Sequence, residues 1–496
     1  MKQVRENIKT IPKNSIQINT KAILAVGNGI RVLLELFSGS DEYIPDLVLE
    51  SPTKENIEEI LETASYLDWV GKTKNLKLVG RAIQLLPALG LHEESKIEEI
   101  TLRAYDPEHI AEIFSTENSS VSIGGVKRLF LHGHALQILP KLGIHGESVM
   151  VCLELSADRP EHIAEILRED NEIILMEKVR RLELRGYAIQ ILPKLGIHGE
   201  SVMEGLILSA YFPEDITEIL KERNNSIWVG RVKLLILGNY ATQIFPKLRI
   251  HEDNVMEVLR LYVEHPEQLT GIFGLENNSI CIGKMKRLEL RKITQKILPK
   301  LRFHEENVME ELELDAYSPK HLTKVLKMNN NTILAGKVKK LNLRSYAIGI
   351  LPKLRIHEKN VMDELELNAD SSKQITEILK TENNSIWIGK VKNLKLRKHA
   401  LKILSKLKFH EENVMKELVL CADNTRYITE ILKMDNNSLW IGKVKNLKLR
   451  KHALKILPKL KFHEENVMKE LNLKAGSSKQ ITDILKKENK ASCWGR

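Results

Sequence analysis

Residues 391–420 read VKNLKLRKHALKILSKLKFHEENVMKELVL, and residues 444–473 read VKNLKLRKHALKILPKLKFHEENVMKELNL. The two stretches lie 53 residues apart and differ at two positions, where Ser405 corresponds to Pro458 and Val419 to Asn472. Near-identity at a fixed step indicates an internal repeat, and a repeat of this length is typical of a solenoid or a propeller.

The 53-residue step extends through most of the 496-residue chain. A histidine follows each Leu-Pro-Lys-Leu motif, or its near relative, in the same register. The recurring residues are Pro87, Pro140, Pro193, Pro246, Pro299, Pro352 and Pro458, and His92, His145, His198, His251, His304, His357, His410 and His463. A weaker first copy aligns residues 46–49 with residues 99–102. We therefore predict an N-terminal extension over residues 1–19, a degenerate first repeat over 20–72 and eight repeats over 73–496.

Each repeat divides into two related coils. In both coils, apolar residues first alternate with polar ones and then recur every three or four positions, as in Leu394 and Leu396 followed by Leu401 and Leu404. This order predicts a strand with one buried face and then a short amphipathic helix. One such coil cannot bury its apolar face alone, so neighbouring coils must stack into a shared core. The nine repeats thus predict an α/β solenoid of about eighteen strand–helix coils with one long parallel sheet.

The spacing of the core residues resembles that of leucine-rich repeat proteins of the ribonuclease-inhibitor-like strand–helix type. The matching residues are Val338, Leu341, Leu343 and Ile348, Val179, Leu182, Leu184 and Ile189, and Met309, Leu312 and Leu314. The resemblance implies a horseshoe-shaped solenoid whose inner strand face binds proteins.

The family's asparagine or cysteine after the last strand leucine is replaced by other residues, namely His399, Tyr346, Tyr187 and Asp370. We therefore expect no asparagine ladder between coils. An all-α solenoid remains the alternative fold.

The composition is that of a folded chain, with 43% hydrophobic and 29% charged residues. Its four cysteines lack metal-binding or disulfide spacing, and we see neither a signal peptide nor a transmembrane segment, so we expect a cytoplasmic protein. The net charge of +10 is uneven, because residues 391–496 carry 25 Lys+Arg against 11 Asp+Glu and the preceding residues sum to −4. The C-terminal end is therefore basic.

Two sets of side chains recur in register, the histidines and the tryptophans. Each set could bind a metal or a ligand, but a structural role explains it better. Equivalent histidines of adjacent repeats would lie about 10 Å apart at sheet spacing, too far to share one zinc ion, so we interpret them as turn residues. The tryptophans Trp69, Trp228, Trp387 and Trp440 share a register with Leu175, Cys281, Leu334 and Ser122. Because leucine and cysteine replace tryptophan there, we predict an apolar core slot before the strand. We predict no metal and no cofactor.

Function is expected to reside on the polar face of the strands. First-coil strands carry mostly basic outward residues and second-coil strands mostly acidic ones, so neighbouring strands can neutralise each other, recognise a partner, or both. Almost every polar feature is repeated, whereas a catalytic centre is a single constellation, and we find no nucleotide-binding or nucleophile motif. We therefore expect a non-catalytic protein-binding scaffold. The candidate partner-binding residues are Arg185, Arg291, Glu313, Arg344, Glu366, Arg397 and Arg450. The alternative is a nucleic-acid-binding solenoid that uses the basic C-terminal repeats.

Overall fold

The structure is a computed structural model that forms two compact units, Met1–His251 and Glu252–Arg496, called here the N-terminal and C-terminal units. The residues it describes are 7, 10–11, 20–37, 44–61, 70, 72–89, 91–92, 95–143, 149–168, 174–175, 179–197 and 202–476. No helix within these ranges has the length and apolar character needed to span a bilayer.

Nine sheet strands are described in the N-terminal unit. Each strand pairs in parallel with the next one along the chain, and the leucines of neighbouring strands lie in register. The strands are β1 (Ala22–Val26), β2 (Asp46–Ser51), β3 (Asn75–Gly80), β4 (Glu99–Ala104), β5 (Arg128–Gly133), β6 (Cys152–Ala157), β7 (Arg181–Gly186), β8 (Val202–Ala210) and β9 (Ile227–Asn239).

The described part of the C-terminal unit also contains nine sheet strands, again parallel and in register. They are β10 (Val255–Val263), β11 (Ile280–Lys292), β12 (Val308–Ala316), β13 (Ile333–Ser345), β14 (Val361–Ala369), β15 (Ile386–Lys398), β16 (Val414–Ala422), β17 (Leu439–Lys451) and β18 (Glu470–Lys474). Each unit is thus a stretch of α/β solenoid with a long parallel sheet, as predicted, and the all-α alternative is wrong.

The alternation of leucines explains why these segments are strands. Leu312 and Leu314 of β12 are fully buried, whereas Glu313 between them is only partly covered. Successive side chains of a strand point to opposite faces, so one row of leucines per strand enters the core and the residues between them face outward. Stacking repeats the arrangement in every coil, which gives each unit one continuous apolar core.

The short amphipathic helices predicted for the first coils are 3₁₀ helices in the eight repeats that follow the first. They are Arg81–Leu89, His134–Lys141, Tyr187–Lys194, Tyr240–Lys247, Ile293–Lys300, Tyr346–Lys353, His399–Lys406 and His452–Lys459. A 3₁₀ helix rises about 2.0 Å per residue against about 1.5 Å for an α-helix, so a short segment spans more of the coil. Proline near the end of most of these helices also disfavours α geometry in the residue before it.

The second coils combine a 3₁₀ turn with a short α-helix in most repeats. The 3₁₀ segments are Pro107–His109, Pro160–His162, Pro213–Ile216, Ile219–Lys221, Pro266–Leu269, Pro319–His321, Ser372–Ile375 and Thr425–Tyr427. The α-helices, including two in the first repeat, are Asn28–Phe37, Glu55–Leu61, Ala111–Phe114, Ala164–Arg168, Thr270–Phe273, Thr323–Leu326, Thr376–Leu379 and Thr429–Lys433.

Short strands after the first-coil helices pair with the residues that precede the main strand segment. These strands are Leu142–Gly143, Leu195–Gly196, Leu248–Ile250, Leu301–Phe303, Leu354–Ile356, Leu407–Phe409 and Leu460–Phe462, and separate partner strands Val121–Ser122 and Ile174–Leu175 serve the first two. The pairing closes each first coil upon itself. From β9 onward, the register shifts at a glycine, such as Gly389, that has a positive φ.

Candidate interaction surface

The outward side chains of the sheet form rows because the strands are in register. Relative to the two core leucines of each strand, row 1 precedes the first, row 2 lies between them and row 3 follows the second. In the C-terminal unit, row 2 contains Arg260, Glu289, Glu313, Asn342, Glu366, Lys395, Val419, Lys448 and Asn472. Row 3 contains Tyr262, Arg291, Asp315, Arg344, Asn368, Arg397, Cys421, Arg450 and Lys474.

Six of the seven predicted partner-binding residues therefore lie on one face of the C-terminal unit. Glu313 and Glu366 are in row 2, and the other four are in row 3, namely Arg291, Arg344, Arg397 and Arg450. We call these rows the strand face. The seventh residue, Arg185, occupies row 3 of β7 in the N-terminal unit.

Ion pairs join neighbouring strands across this face, as the alternating charges suggested. The Arg397 Nε atom lies 3.1 Å from a carboxylate oxygen of Glu366, and the Lys395 Nζ atom lies 2.8 Å from Glu364. The side chains are partly exposed, so each pair contributes only about 0–1 kcal/mol to folding. Much of the charge is therefore compensated within the sheet, at little energetic gain.

A bidentate ion pair joins Arg260 and Glu289 in row 2. Two guanidinium nitrogens of Arg260 donate to the two carboxylate oxygens of Glu289, at 2.7 and 3.1 Å. Glu289 is only 4% exposed, and the hydrogen bond from Arg260 lowers the pKa of its carboxyl group. This carboxylate is thus committed to the fold and is a poor candidate for contacting a partner.

Other groups on the face keep their binding capacity. The Arg344 Nε atom donates to the Asn342 side-chain oxygen at 3.3 Å, and Arg344 forms no ion pair with a described carboxylate. Arg450 likewise lacks an ion pair in the described part of the chain. Tyr317, at the end of β12, is 66% exposed, and a hydrogen bond to Asp315 raises the pKa of its hydroxyl group.

The corresponding surface of the N-terminal unit has a different character. Arg185 lies 3.4 Å from Glu154 and 3.1 Å from Glu183, so its charge is shared between two carboxylates. The next two strands place Ile207 and Ile236 in row 2 instead of charged residues. The structure therefore separates Arg185 chemically from the other six predicted residues.

The tryptophan register is at the surface, contrary to the prediction of a core slot. Trp440 is 40% exposed, and Trp228 and Trp387 are half-buried. The cause is strand alternation: the neighbouring residues on both sides point inward, so the indole points outward. Each ring lies near the turn histidine, with ring centroids 5.9 Å apart for Trp387 and His410. Trp69 lies outside the described residues.

The histidines act as turn residues in the described repeats. The backbone N–H of His410 donates to the Gly389 carbonyl oxygen at 3.1 Å. Its Nδ1 atom accepts a hydrogen bond from the Glu412 backbone N–H, also at 3.1 Å. Equivalent side-chain bonds occur at His304, His357 and His463. His145 and His198 lie outside the described residues.

A column of buried or half-buried asparagines is present in the turns that precede the second-coil strands. Asn360 is buried, accepts a hydrogen bond from the Val338 backbone N–H and donates one to the Val338 carbonyl oxygen, both at 3.0 Å. The same side-chain oxygen contact occurs at Asn307, Asn413 and Asn466. This column is distinct from the family's asparagine position, which other residues such as Tyr346 and His399 occupy here. The available signal was an asparagine three residues after each of these turn histidines.

A metal site or a pocket would be the other kind of candidate site in the described ranges. No group of three or more histidine, cysteine, aspartate or glutamate side chains could hold a metal ion there. An open groove of about 320 Å³ lies on the helical side of the C-terminal unit, lined by Tyr346, Gly349, Lys373 and Glu377 among others. Position 349 is glycine where the next two repeats have Lys402 and Lys455.

Comparisons with known proteins return no match: no family model, no curated protein and no solved structure is similar to this chain.

Proposed function

We propose that the chain is a non-catalytic protein-binding scaffold of leucine-rich-repeat type that binds its partner with the strand face of the C-terminal unit. The observation that carries the proposal is that Arg291 and Arg344 lie on the strands on either side of β12, while Tyr317, directly after β12, is 66% exposed. Tyrosine and arginine are among the residue types that most often dominate protein–protein binding energies.

The size of the strand face supports the same proposal. At about 4.8 Å per strand, nine strands extend about 40 Å, and the three rows cover about 13 Å along the strands. The resulting area is on the order of 500 Å², compared with about 800 Å² per partner in a typical stable interface. The bordering side chains at the strand ends, including Tyr317, would supply much of the difference.

Catalysis is not part of this proposal because the polar groups of the strand face are repeated in successive coils. A catalytic centre needs one constellation of a nucleophile or base with groups that stabilise a transition state. The strand face instead offers many similar charged positions, an arrangement that suits electrostatic recognition of a macromolecule.

A nucleic-acid-binding solenoid is the second candidate, supported by the excess of Lys+Arg in residues 391–496. Phosphate contacts would make its binding fall steeply with added salt. Retardation of single-stranded RNA at low salt that disappears near physiological salt would favour this function over protein binding.

Charge reversal on the strand face tests the main proposal. The double variant Arg344→Glu/Arg397→Glu should lose specific partners in affinity capture with mass spectrometry, since it reverses two row 3 charges. The matched control Lys380→Glu/Lys433→Glu makes the same charge change on the helical side, where both lysines pair with a glutamate three residues earlier. The control should retain the partners. Identical partner sets for the wild type and the strand-face variant, with unchanged melting curves, would exclude this surface.

A further inference from the structure

The strand face of the C-terminal unit contains three similar groups of three strands, called windows here, that differ in the number of carboxylates on the middle strand. Each window is a second-coil strand between two first-coil strands, and the middle strands are β12, β14 and β16. In rows 1 to 3, β12 presents Glu311, Glu313 and Asp315, β14 presents Glu364, Glu366 and Asn368, and β16 presents Glu417, Val419 and Cys421. The middle strand thus loses carboxylates from one window to the next.

The flanking strands keep their positive charges in the β16 window. Lys395 and Arg397 lie on β15, and Lys448 and Arg450 lie on β17, directly beside Val419 and Cys421 in the register. These six residues are called the β16 trough. In rows 2 and 3, the trough contains four cationic side chains and no carboxylate.

Three of the four cationic side chains of the trough pair with carboxylates that lie outside rows 2 and 3 of β16. Lys395 and Arg397 pair with Glu364 and Glu366, which lie on β14, on the side away from β16. Lys448 pairs with Glu417 in row 1 of β16.

Arg450 forms no ion pair with any carboxylate in the described ranges. In the β12 window, the corresponding row 3 position between two arginines is occupied by Asp315.

The shape of the trough suits an added chain. Val419 is 8% exposed and Cys421 is half-buried, and both are shorter than the lysine and arginine side chains on either side. Arg397 and Arg450 are separated by two strand spacings, about 10 Å, with Cys421 between them. A carboxylate placed above Cys421 would be within reach of both guanidinium groups, each of which can bind it with two hydrogen bonds.

We propose that the β16 trough binds an acidic segment of a partner protein in extended conformation, whose carboxylates replace the two that β16 lacks. This inference rests on the proposed protein-binding function and specifies the partner's chemistry. An extended segment points alternate side chains to one side, which matches the spacing of rows 2 and 3 along the strand. Arg397, Lys448 and Arg450 would bind its carboxylates.

A nucleic acid fits the trough less well. Single-stranded nucleic acids are bound by cationic grooves that also offer aromatic rings for base stacking. Rows 1 to 3 of β15, β16 and β17 contain no aromatic residue, and Glu364, Glu366 and Glu417 border the trough. These carboxylates would repel a phosphate backbone, whereas a short acidic segment could be placed between them.

The test measures binding of a labelled Glu-Ser-Glu-Ser-Glu-Ser peptide to the full-length chain by fluorescence anisotropy. A Gln-Ser-Gln-Ser-Gln-Ser peptide serves as the uncharged control. The proposal predicts binding of the glutamate peptide only. The variant Val419→Glu/Cys421→Asp, which restores the carboxylates of the β12 window, should weaken that binding by about tenfold or more.

Two further variants separate charge from shape. Val419→Gln/Cys421→Asn adds side chains of the same size without charge and should keep binding within about threefold of the wild type. Equal losses in the charged and uncharged variants would overturn the proposal. Arg450→Gln should weaken binding, whereas Lys433→Gln on the helical side should not.

The outcomes distinguish this inference from the proposed function. If Arg344→Glu/Arg397→Glu abolishes partner capture but the acidic peptide does not bind, the trough proposal fails and the scaffold function stands. If the peptide binds but no partner depends on the strand face, the scaffold function fails. A single-stranded RNA oligonucleotide that binds more tightly than the peptide, and loses binding in Val419→Glu/Cys421→Asp, would overturn the trough as a peptide site.

Discussion

A single backbone position in every first coil determines how the strand turns into the helix. Ser345 has φ 56° and ψ −134°, and Asn239, Lys292, Lys398 and Lys451 adopt nearly the same angles. These angles are strained for a residue with a Cβ atom and cost on the order of 1–3 kcal/mol. The three repeats before Asn239 have glycine at this position, at residues 80, 133 and 186.

Replacing Ser345 by glycine should therefore stabilise the chain by about 1 kcal/mol, after allowing for the greater freedom of glycine in the unfolded state. The measurement is the midpoint of denaturant unfolding. The converse variant, Gly186→Ala, should lower the midpoint, because its Cβ atom would lie 2.4 Å from the Ala157 carbonyl oxygen. A lower midpoint for Ser345→Gly would contradict the strain assigned to this turn.

Partly buried and buried histidines should make the N-terminal unit sensitive to acid. Burial, assisted by Arg103, lowers the pKa of His132 from 6.5 to about 4, and burial also lowers the pKa values of His134 and His162. Since each folded-state pKa is below the unfolded value, the unfolded chain binds more protons as the pH falls. The stability contribution is therefore complete above pH 6.5 and is lost as the pH falls toward 4.

We expect His132→Gln to reduce the acid-induced fall in the melting temperature between pH 6.5 and about 4. The control is His304→Gln, which changes an exposed turn histidine of the C-terminal unit. If the wild type and His132→Gln lose equal stability on acidification, His132 does not supply the predicted linkage.

At the scale of the element, hydrogen bonds from a buried asparagine join the strand of one coil to the turn of the next. Asn360 satisfies both the N–H and the carbonyl group of Val338. Alanine at position 360 would leave two buried backbone groups without partners, at a cost of about 1–3 kcal/mol each. We therefore expect Asn360→Ala to destabilise the C-terminal unit by about 3 kcal/mol.

Hydrogen exchange locates that effect. Because each repeat contacts mainly its neighbours, faster exchange in Asn360→Ala should be concentrated in β13 and β14 rather than in β17. The control Asn342→Ala removes an outward row 2 asparagine and should change stability by less than about 0.5 kcal/mol. Uniformly faster exchange over the whole C-terminal unit would contradict a local role for Asn360.

The elements that sequence patterns predicted well are those fixed by core burial. The alternation around Leu394 and Leu396 predicted the strands, because only one strand face can enter the core. The pattern predicted helices in the first coils but not that they are 3₁₀ helices, because an apolar residue every three or four positions fits both 3₁₀ and α forms. The tryptophan register was assigned to the wrong face, because a short apolar segment such as Ile386–Trp387–Ile388 does not reveal which residue points outward.

At the scale of the whole molecule, the repeat predicted the number of coils and the rows of the strand face. The register followed from the 53-residue step, so six candidate residues fell on one surface of the C-terminal unit. The 53-residue repeat did not predict which of these residues form ion pairs. Arg397 is compensated by Glu366 while Arg450 is not, because β16 has Val419 in row 2 where β14 has Glu366. That difference depends on contacts between strands, which only the structure supplies.

The central claim is that a protein partner contacts the strand face of the C-terminal unit rather than its helical side. The most direct measurement places a photo-crosslinking amino acid either at Asn368, in row 3 of β14, or at Lys380, on the helical side, and irradiates the full-length chain with its captured partner. We predict a covalent adduct with the partner from position 368 and little or none from position 380. Adducts formed mainly from position 380 would contradict the account.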